Sequence, residues 1–145
     1  MQARRAPIEI GGSMTREQAF SKEYAHELIS ISEQDLESAR VLASAKKTRI
    51  ENIFLLAQQG LEKALKAVLC WHSLPVPFVH EIGILVTKLE ARNLTPPFGY
   101  DLNSLSEYAT IRRYMEGKES FTQNEVIEIL EQVEDAVKWC RAQIK

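Results

Sequence analysis

A chain of 145 residues, 45% hydrophobic and 26% charged, has the length and composition of one globular domain with a core of its own. A formal net charge of −2 and a pI near 6.0 exclude a strongly basic nucleic-acid binder, although they allow a local basic patch. No stretch is apolar and long enough to span a membrane, and Cys70 and Cys140 are typical of buried apolar positions in a reducing compartment. We therefore expect a cytoplasmic protein without a disulfide framework.

The N-terminal segment shows no helical or strand period, and its Pro7, Gly11 and Gly12 disfavour regular structure. We therefore expect a disordered leader over residues 1–13. The helical domain is then expected over residues 14–145, where apolar residues recur at helical spacing.

Three patterns of Thr followed three residues later by Glu or Gln indicate helix starts, because such pairs can satisfy free backbone N–H groups. They are Thr15–Gln18, Thr48–Glu51 and Thr122–Glu125. The first helix would run to about Lys46, with a break possible near residues 30–32. The second would end near Trp71, before two prolines that cannot continue a helix. The last has apolar residues at spacings of three and four, namely Val126, Leu130, Val133, Val137 and Cys140.

Two further helices are predicted between these segments. A short third helix would run from His80 to Ala91, and a fourth from an Asp101 cap to about Met115. The fourth would turn Leu102, Leu105, Tyr108 and Ala109 inward. No segment alternates with period two, so no strand is predicted. The fold class is all-α, a single-domain up-and-down bundle of four to five antiparallel helices joined by short loops.

The second helix has one apolar face and one polar face. The polar face, which we call the polar arc, consists of Gln58, Gln59, Glu62, Lys63 and Lys66. The ordinary interpretation is a solvated surface, on which Glu62 and Lys66 form a weak pair one turn apart. The alternative is that the arc faces a groove or a partner.

A second candidate site lies at the end of the predicted fourth helix. Arg113 can interact there with the helix dipole, or with Arg112 it can bind phosphate while Tyr114 stacks on a base. His80, at the start of the third helix, can cap that helix or join a site. No cluster of ligating residues has the spacing of a metal site, so neither a metal nor a cofactor is predicted.

The segment from Phe54 to Lys66 resembles the signature helix of the HEPN domain family, which comprises small all-helical domains. Other stretches match the family in the family's order, and the resemblance covers residues 33–144. These stretches are Asp35-Leu-Glu-x-Ala39, His80-Glu81, Arg113-Tyr114 and Lys138-Trp139.

The resemblance implies a bundle that often pairs into dimers. Many members are encoded beside a minimal nucleotidyltransferase and act with it as a toxin–antitoxin pair. Many toxin members are metal-independent ribonucleases, in which an Arg and a His separated by four to six residues form a composite site across the dimer. This sequence departs from that pattern, because the corresponding positions, Gly117 to Ser120, contain no His.

The resemblance therefore implies a non-catalytic module that forms a homodimer, binds a nucleotidyltransferase-type partner, and offers a site for a nucleotide or RNA phosphate. The implied contacts are Lys63, Lys66, Arg112, Arg113 and Tyr114, supported by Gln58, Gln59, Glu62 and His80. One alternative is a ribonuclease toxin with a variant site, in which Tyr114, Glu62 or His80 carries the proton. Another is a bundle whose polar arc is only solvated surface. The arc, Tyr108 and Tyr114 form the expected dimer surface.

Overall fold

The structure is a computed structural model that describes residues 8–9, 17–109 and 121–145. In chain order its elements are β1 (Ile8–Glu9), β2 (Glu17–Ala19), α1 (Tyr24–Ser44), α2 (Ile50–Trp71), β3 (Val76–Pro77), α3 (Ile82–Glu90), a 3₁₀ helix (Asp101–Ala109) and α4 (Gln123–Gln143). The predicted all-α bundle is therefore confirmed. Within the described residues, no helix combines the length and the apolar character that a membrane span requires.

The central element is α2, which packs against α1, α3, α4 and the 3₁₀ helix. Its fully buried residues include Ala57, Ala64 and Ala67, whose small side chains allow neighbouring helices to come close. Phe54 fills the space towards the 3₁₀ helix and the start of α4, where its ring contacts Tyr108 and Phe121 edge-on. As a result, the core surrounds α2 on most sides.

Helices α1 and α2 come close together at Gly60. A Cβ atom at this position would lie 3.0 Å from the backbone oxygen of Ser32 on α1. The Ser32 hydroxyl donates a hydrogen bond of 2.6 Å to the Gly60 carbonyl, so the buried hydroxyl is satisfied. No break occurs near residues 30–32, where one was considered possible, because Ser32 faces α2 from within a continuous α1.

The N-terminal part of the fold differs from the prediction. The first helix begins at Tyr24, and Gln18, the predicted end of a capping box, lies in β2. The middle strand β2 pairs antiparallel with β1 and with β3, and Glu17 also forms an ion pair of 3.1 Å with Lys88 on α3. The prediction of no strand is wrong because strands of two or three residues are too short to show alternation.

The predicted leader, residues 1–13, lies outside the described residues apart from Ile8–Glu9, whose backbone forms β1. Disorder in the rest of the leader stays a prediction. Thr15, the first residue of the predicted capping box, also lies outside the described residues.

Two local predictions between the long helices are wrong. The N-cap of α2 is Arg49 rather than Thr48, and no side chain caps this end. The fourth helix is a 3₁₀ helix rather than an α-helix, and its predicted end at Met115 falls in residues 110–120, outside the described residues. Leu102, Leu105 and Tyr108 are buried as expected. Tyr108 is therefore a core residue, as its inward position in the predicted helix implies, and its part in a dimer surface stays a prediction.

The C-terminal helix agrees with the prediction in detail. The hydroxyl of Thr122 accepts a hydrogen bond of 3.1 Å from the Glu125 N–H, and the Glu125 carboxylate accepts one of 2.9 Å from the Thr122 N–H. The predicted apolar seam is buried throughout. Both cysteines are buried, and burial raises the pKa of the Cys70 thiol to about 11, as expected of an unreactive packing residue.

The observed capping box predicts a stability difference between two threonines. Thr122→Ala should lower the free energy of unfolding by about 1 kcal/mol, because the Glu125 N–H loses its acceptor. Thr48→Ala is the matched control and should change it by less than about 0.5 kcal/mol, because Thr48 does not cap α2. Urea unfolding followed by circular dichroism measures both values, and equal losses would contradict the assignment.

Candidate functional site

The polar arc of α2 borders a pocket with a volume of about 240 Å³. Its walls come from three places in the chain, namely α2, the loop before α3 and the end of the 3₁₀ helix. The lining residues are Gln58, Gln59, Glu62, Lys63, His80 and Ala109. Five of the nine residues predicted for the site therefore line one pocket.

The buried carboxylate of Glu62 lies at the centre of this site. Its Oε2 accepts a hydrogen bond of 2.8 Å from Lys66 Nζ, and its Oε1 accepts one of 2.9 Å from Gln58 Nε2. His80 Nδ1 lies 3.1 Å from the same Oε1. An ionised carboxylate can only accept, so Nδ1 must carry the hydrogen. The neutral imidazole then presents Nε2 as an acceptor.

Two opposing effects determine the charge of Glu62. Burial acts to raise the pKa of its carboxyl, because desolvation disfavours the charged form. The nearby Lys66 ammonium and the hydrogen bonds from Lys66, Gln58 and His80 outweigh burial and hold that pKa below its usual value of 4.5. Glu62 is therefore ionised at neutral pH.

Gln58 is 0% exposed, and its amide is held in one orientation. Nε2 donates to Glu62 Oε1 and also to the backbone oxygen of His80, each at 2.9 Å. Its Oε1 is the one buried side-chain nitrogen or oxygen without a hydrogen-bond partner in the part of the chain that the structure describes. An unpaired buried acceptor costs about 1–3 kcal/mol, so it calls for a specific explanation.

Both predicted phosphate-binding lysines are paired with carboxylates. Lys66 bonds Glu62, and its side chain is only 15% exposed. Lys63 Nζ lies 2.6 Å from Asp35 Oδ2 on α1. Asp35 was noticed only as part of the family-like stretch. Its pairing with Lys63 was missed, because the two residues are 28 positions apart and no helical period relates them.

The structure therefore decides part of the site prediction. The solvated-surface interpretation of the arc is wrong for Gln58 and Glu62, which are buried. Arg112, Arg113 and Tyr114 lie outside the described residues, so their part in the site stays a prediction. The described residues contain no group of three or more side chains that could hold a metal ion.

The arrangement has two chemical capacities. It can accept hydrogen bonds from a bound group, through Gln58 Oε1 and the pocket-lining polar side chains. It can also orient a proton carrier, because Glu62 holds one nitrogen of an imidazole whose side chain is 64% exposed. His80 thus belongs to the site and does not act only as a helix cap.

Comparison with known proteins agrees with the motifs seen in the sequence. A family model described as the HEPN domain matches residues 25–143. Among solved structures, the crystal structure of an archaeal HEPN homologue matches with a TM-score of 0.65 and 28% sequence identity, covering 83% of this chain and 98% of that chain. No curated protein matches the sequence significantly.

The buried ion pair predicts a large effect of removing one partner. Lys66→Met keeps most of the apolar stem but leaves the Glu62 carboxylate without its cation, so it should lower the free energy of unfolding by about 3 kcal/mol at neutral pH. Lys63→Met is the control, because its partly exposed pair with Asp35 should contribute at most about 1 kcal/mol. Urea unfolding measures both variants.

The pH dependence identifies the cause of that loss. The pKa of Glu62 is lower in the folded than in the unfolded protein. Its contribution to stability is therefore fully present above the pKa of the unfolded state, and it is lost as the pH falls through the pKa of the folded state. The difference in the free energy of unfolding between wild type and Lys66→Met should therefore become smaller in acid. A difference that is independent of pH would mean that lost packing, not the unpaired carboxylate, causes the effect.

Proposed function

The chain belongs to the HEPN domain family, and we propose that it is a non-catalytic member that binds a nucleotide or an RNA phosphate at the pocket beside α2. It acts in the cytoplasm as a homodimer with a nucleotidyltransferase-type partner, as in a toxin–antitoxin pair. The observation that carries the proposal is the unpaired Oε1 of Gln58 in a residue that lines the pocket. A bound ligand would satisfy this atom.

The size of the pocket suits part of a ligand better than a whole nucleotide. Pockets for drug-sized ligands usually measure about 300–1,000 Å³. A volume of about 240 Å³ suits one moiety, with the rest of the ligand lying outside. Most of the lining residues sit on α2, a rigid element, which favours a pocket that is already formed before binding.

The paired cations favour binding over catalysis. Phosphoryl transfer or RNA cleavage needs fixed positive charge where negative charge develops. Lys63 and Lys66 are each neutralised by a carboxylate, at 2.6 Å and 2.8 Å respectively. In addition, Gly117 to Ser120 lack the usual family histidine. These features support a module that holds a ligand without turning it over.

Support for self-association and for a partner comes from the family rather than from this chain alone. HEPN domains often dimerise, and the family model covers most of the chain. The pairing with a nucleotidyltransferase is carried over from family members that are encoded beside one.

The proposal predicts a dimer that nucleotides stabilise. In size-exclusion chromatography with light scattering, the purified protein should have twice the chain mass, and ATP or GTP should raise its melting temperature. A ligand that binds only the native state stabilises it by about 2.7 kcal/mol at a hundred times its Kd. A monomer that responds to neither nucleotide would contradict the proposal.

A pair of matched variants tests whether the response comes from the pocket. Lys63→Met removes a charge at the pocket and should weaken the nucleotide response. Lys138→Met removes the same charge from an exposed site on α4 and should leave the response unchanged. Equal responses of the two variants would show that the nucleotide binds elsewhere.

The second candidate function is a metal-independent ribonuclease with a variant site. One observation favours it, namely the contact of 3.1 Å between the Glu62 carboxylate and His80 Nδ1. A carboxylate that orients a histidine leaves the other ring nitrogen to move a proton, and histidine is the usual proton carrier near neutral pH.

RNA incubation separates the two candidates. With chelator present, we expect the wild-type dimer to leave RNA intact. Cleavage that His80→Gln reduces by about 10²–10⁴-fold would instead establish the ribonuclease. His72→Gln is the control, because His72 is exposed and is not among the residues that line the pocket.

A further inference from the structure

We infer that the pocket binds the nucleoside end of its ligand, through an N–H or O–H group that donates to Gln58 Oε1, and that the phosphate remains outside. This inference rests on the proposed function and specifies which part of a nucleotide enters. The donor is either an N–H group of the base or a hydroxyl of the sugar.

The first step is that Gln58 can present only an acceptor. Its Nε2 faces two acceptors, the Glu62 carboxylate and the His80 backbone oxygen, each at 2.9 Å. Turning the amide over would place its oxygen against both of these oxygens, so the orientation is fixed. Any group that satisfies Oε1 must therefore carry a hydrogen.

The second step excludes the phosphate from this position. The oxygens of an ionised phosphodiester only accept hydrogen bonds, so they cannot pair with Gln58 Oε1. The pocket also contains the Glu62 carboxylate, whose charge repels an anion. The ammonium groups of Lys63, which lines the pocket, and of Lys66 are already bonded to carboxylates. The same two features favour an uncharged group that donates hydrogen bonds.

The third step concerns His80, which lines the same pocket. Because Nδ1 carries its hydrogen towards Glu62, Nε2 of the neutral ring is an acceptor. Gln58 therefore offers one acceptor to the ligand, and the neutral form of His80 offers a second. Base N–H groups and sugar hydroxyls are the donors that a nucleoside provides, so the nucleoside end matches the pocket and the phosphate end does not.

The experiment uses the full chain and measures binding by calorimetry and thermal shift. The probes are ATP, GTP, adenosine, guanosine and tripolyphosphate. We expect a nucleoside to bind and to raise the melting temperature as its triphosphate does, while tripolyphosphate neither binds nor competes. Binding of tripolyphosphate in competition with the triphosphate would overturn the inference.

Two analogues of the nucleoside that binds identify the donor. In one, every N–H hydrogen of the base is replaced by a methyl group; the other lacks both ring hydroxyls of the ribose. One of them should bind about tenfold more weakly or worse, because Gln58 Oε1 then stays unpaired. Loss with the first analogue assigns the base, and loss with the second assigns the sugar. Full binding of both analogues would overturn the inference. Because the series changes the ligand and not the protein, its outcome does not depend on whether a variant folds.

A matched pair of variants provides an independent test. Gln58→Met removes the acceptor in a side chain of similar length and should weaken nucleoside binding about tenfold or more. Gln34→Met makes the same change on the exposed surface of α1 and should have no effect. Unchanged binding by Gln58→Met would overturn the inference.

The outcomes also separate this inference from the proposed function. If ATP or GTP binds but neither nucleoside does, and tripolyphosphate competes, the inference fails and the proposed function stands. If no triphosphate and no nucleoside binds, both fail.

Discussion

The carboxylate of Glu62 determines how this part of the molecule is arranged. It lies on the central helix, 8% exposed, where an unpaired charge would cost several kcal/mol. Three neighbouring groups offset that cost. They are the Lys66 ammonium one helical turn further along α2, the Gln58 amide one turn before Glu62, and the His80 imidazole from the next loop. The loop between α2 and α3 must therefore hold His80 in place, and the charge on α2 fixes the shape of the pocket.

The frame around this site is rigid for two separate reasons. At Gly60 and Ser32 the backbones of α1 and α2 are in direct contact, so neither helix can shift without losing a buried hydrogen bond. At the edge of the pocket, the pair between Lys63 and Asp35 connects the same two helices. The four pocket residues on α2 are therefore held by a rigid element, which suits recognition by a few fixed polar atoms.

The sequence predicted the long helices well because their apolar residues recur with one period, as the seam of α4 does from Val126 to Cys140. Strand β2 was not predicted, because three residues cannot show alternation. The cap predicted at Thr48 is wrong, because a capping pattern does not show which backbone N–H a side chain can reach. For the site, the periodicity grouped Gln58 with Glu62 but could not show that they are buried. Both residues contact His80, which comes from another element, and such long-range contacts leave no local signal.

Because of the short sheet, the two ends of the domain differ as sites for attaching a label or a fused protein. The backbone of β2 pairs with β3, a strand three residues before His80, and Glu17 on the same strand bonds Lys88 on α3. Segments far apart in sequence thus brace the loop that carries the imidazole. The main contacts of α4 with other described elements are with α1 and α2. A label or a fused protein is therefore better joined after α4, where a force on the linker does not act directly on the loop that carries His80.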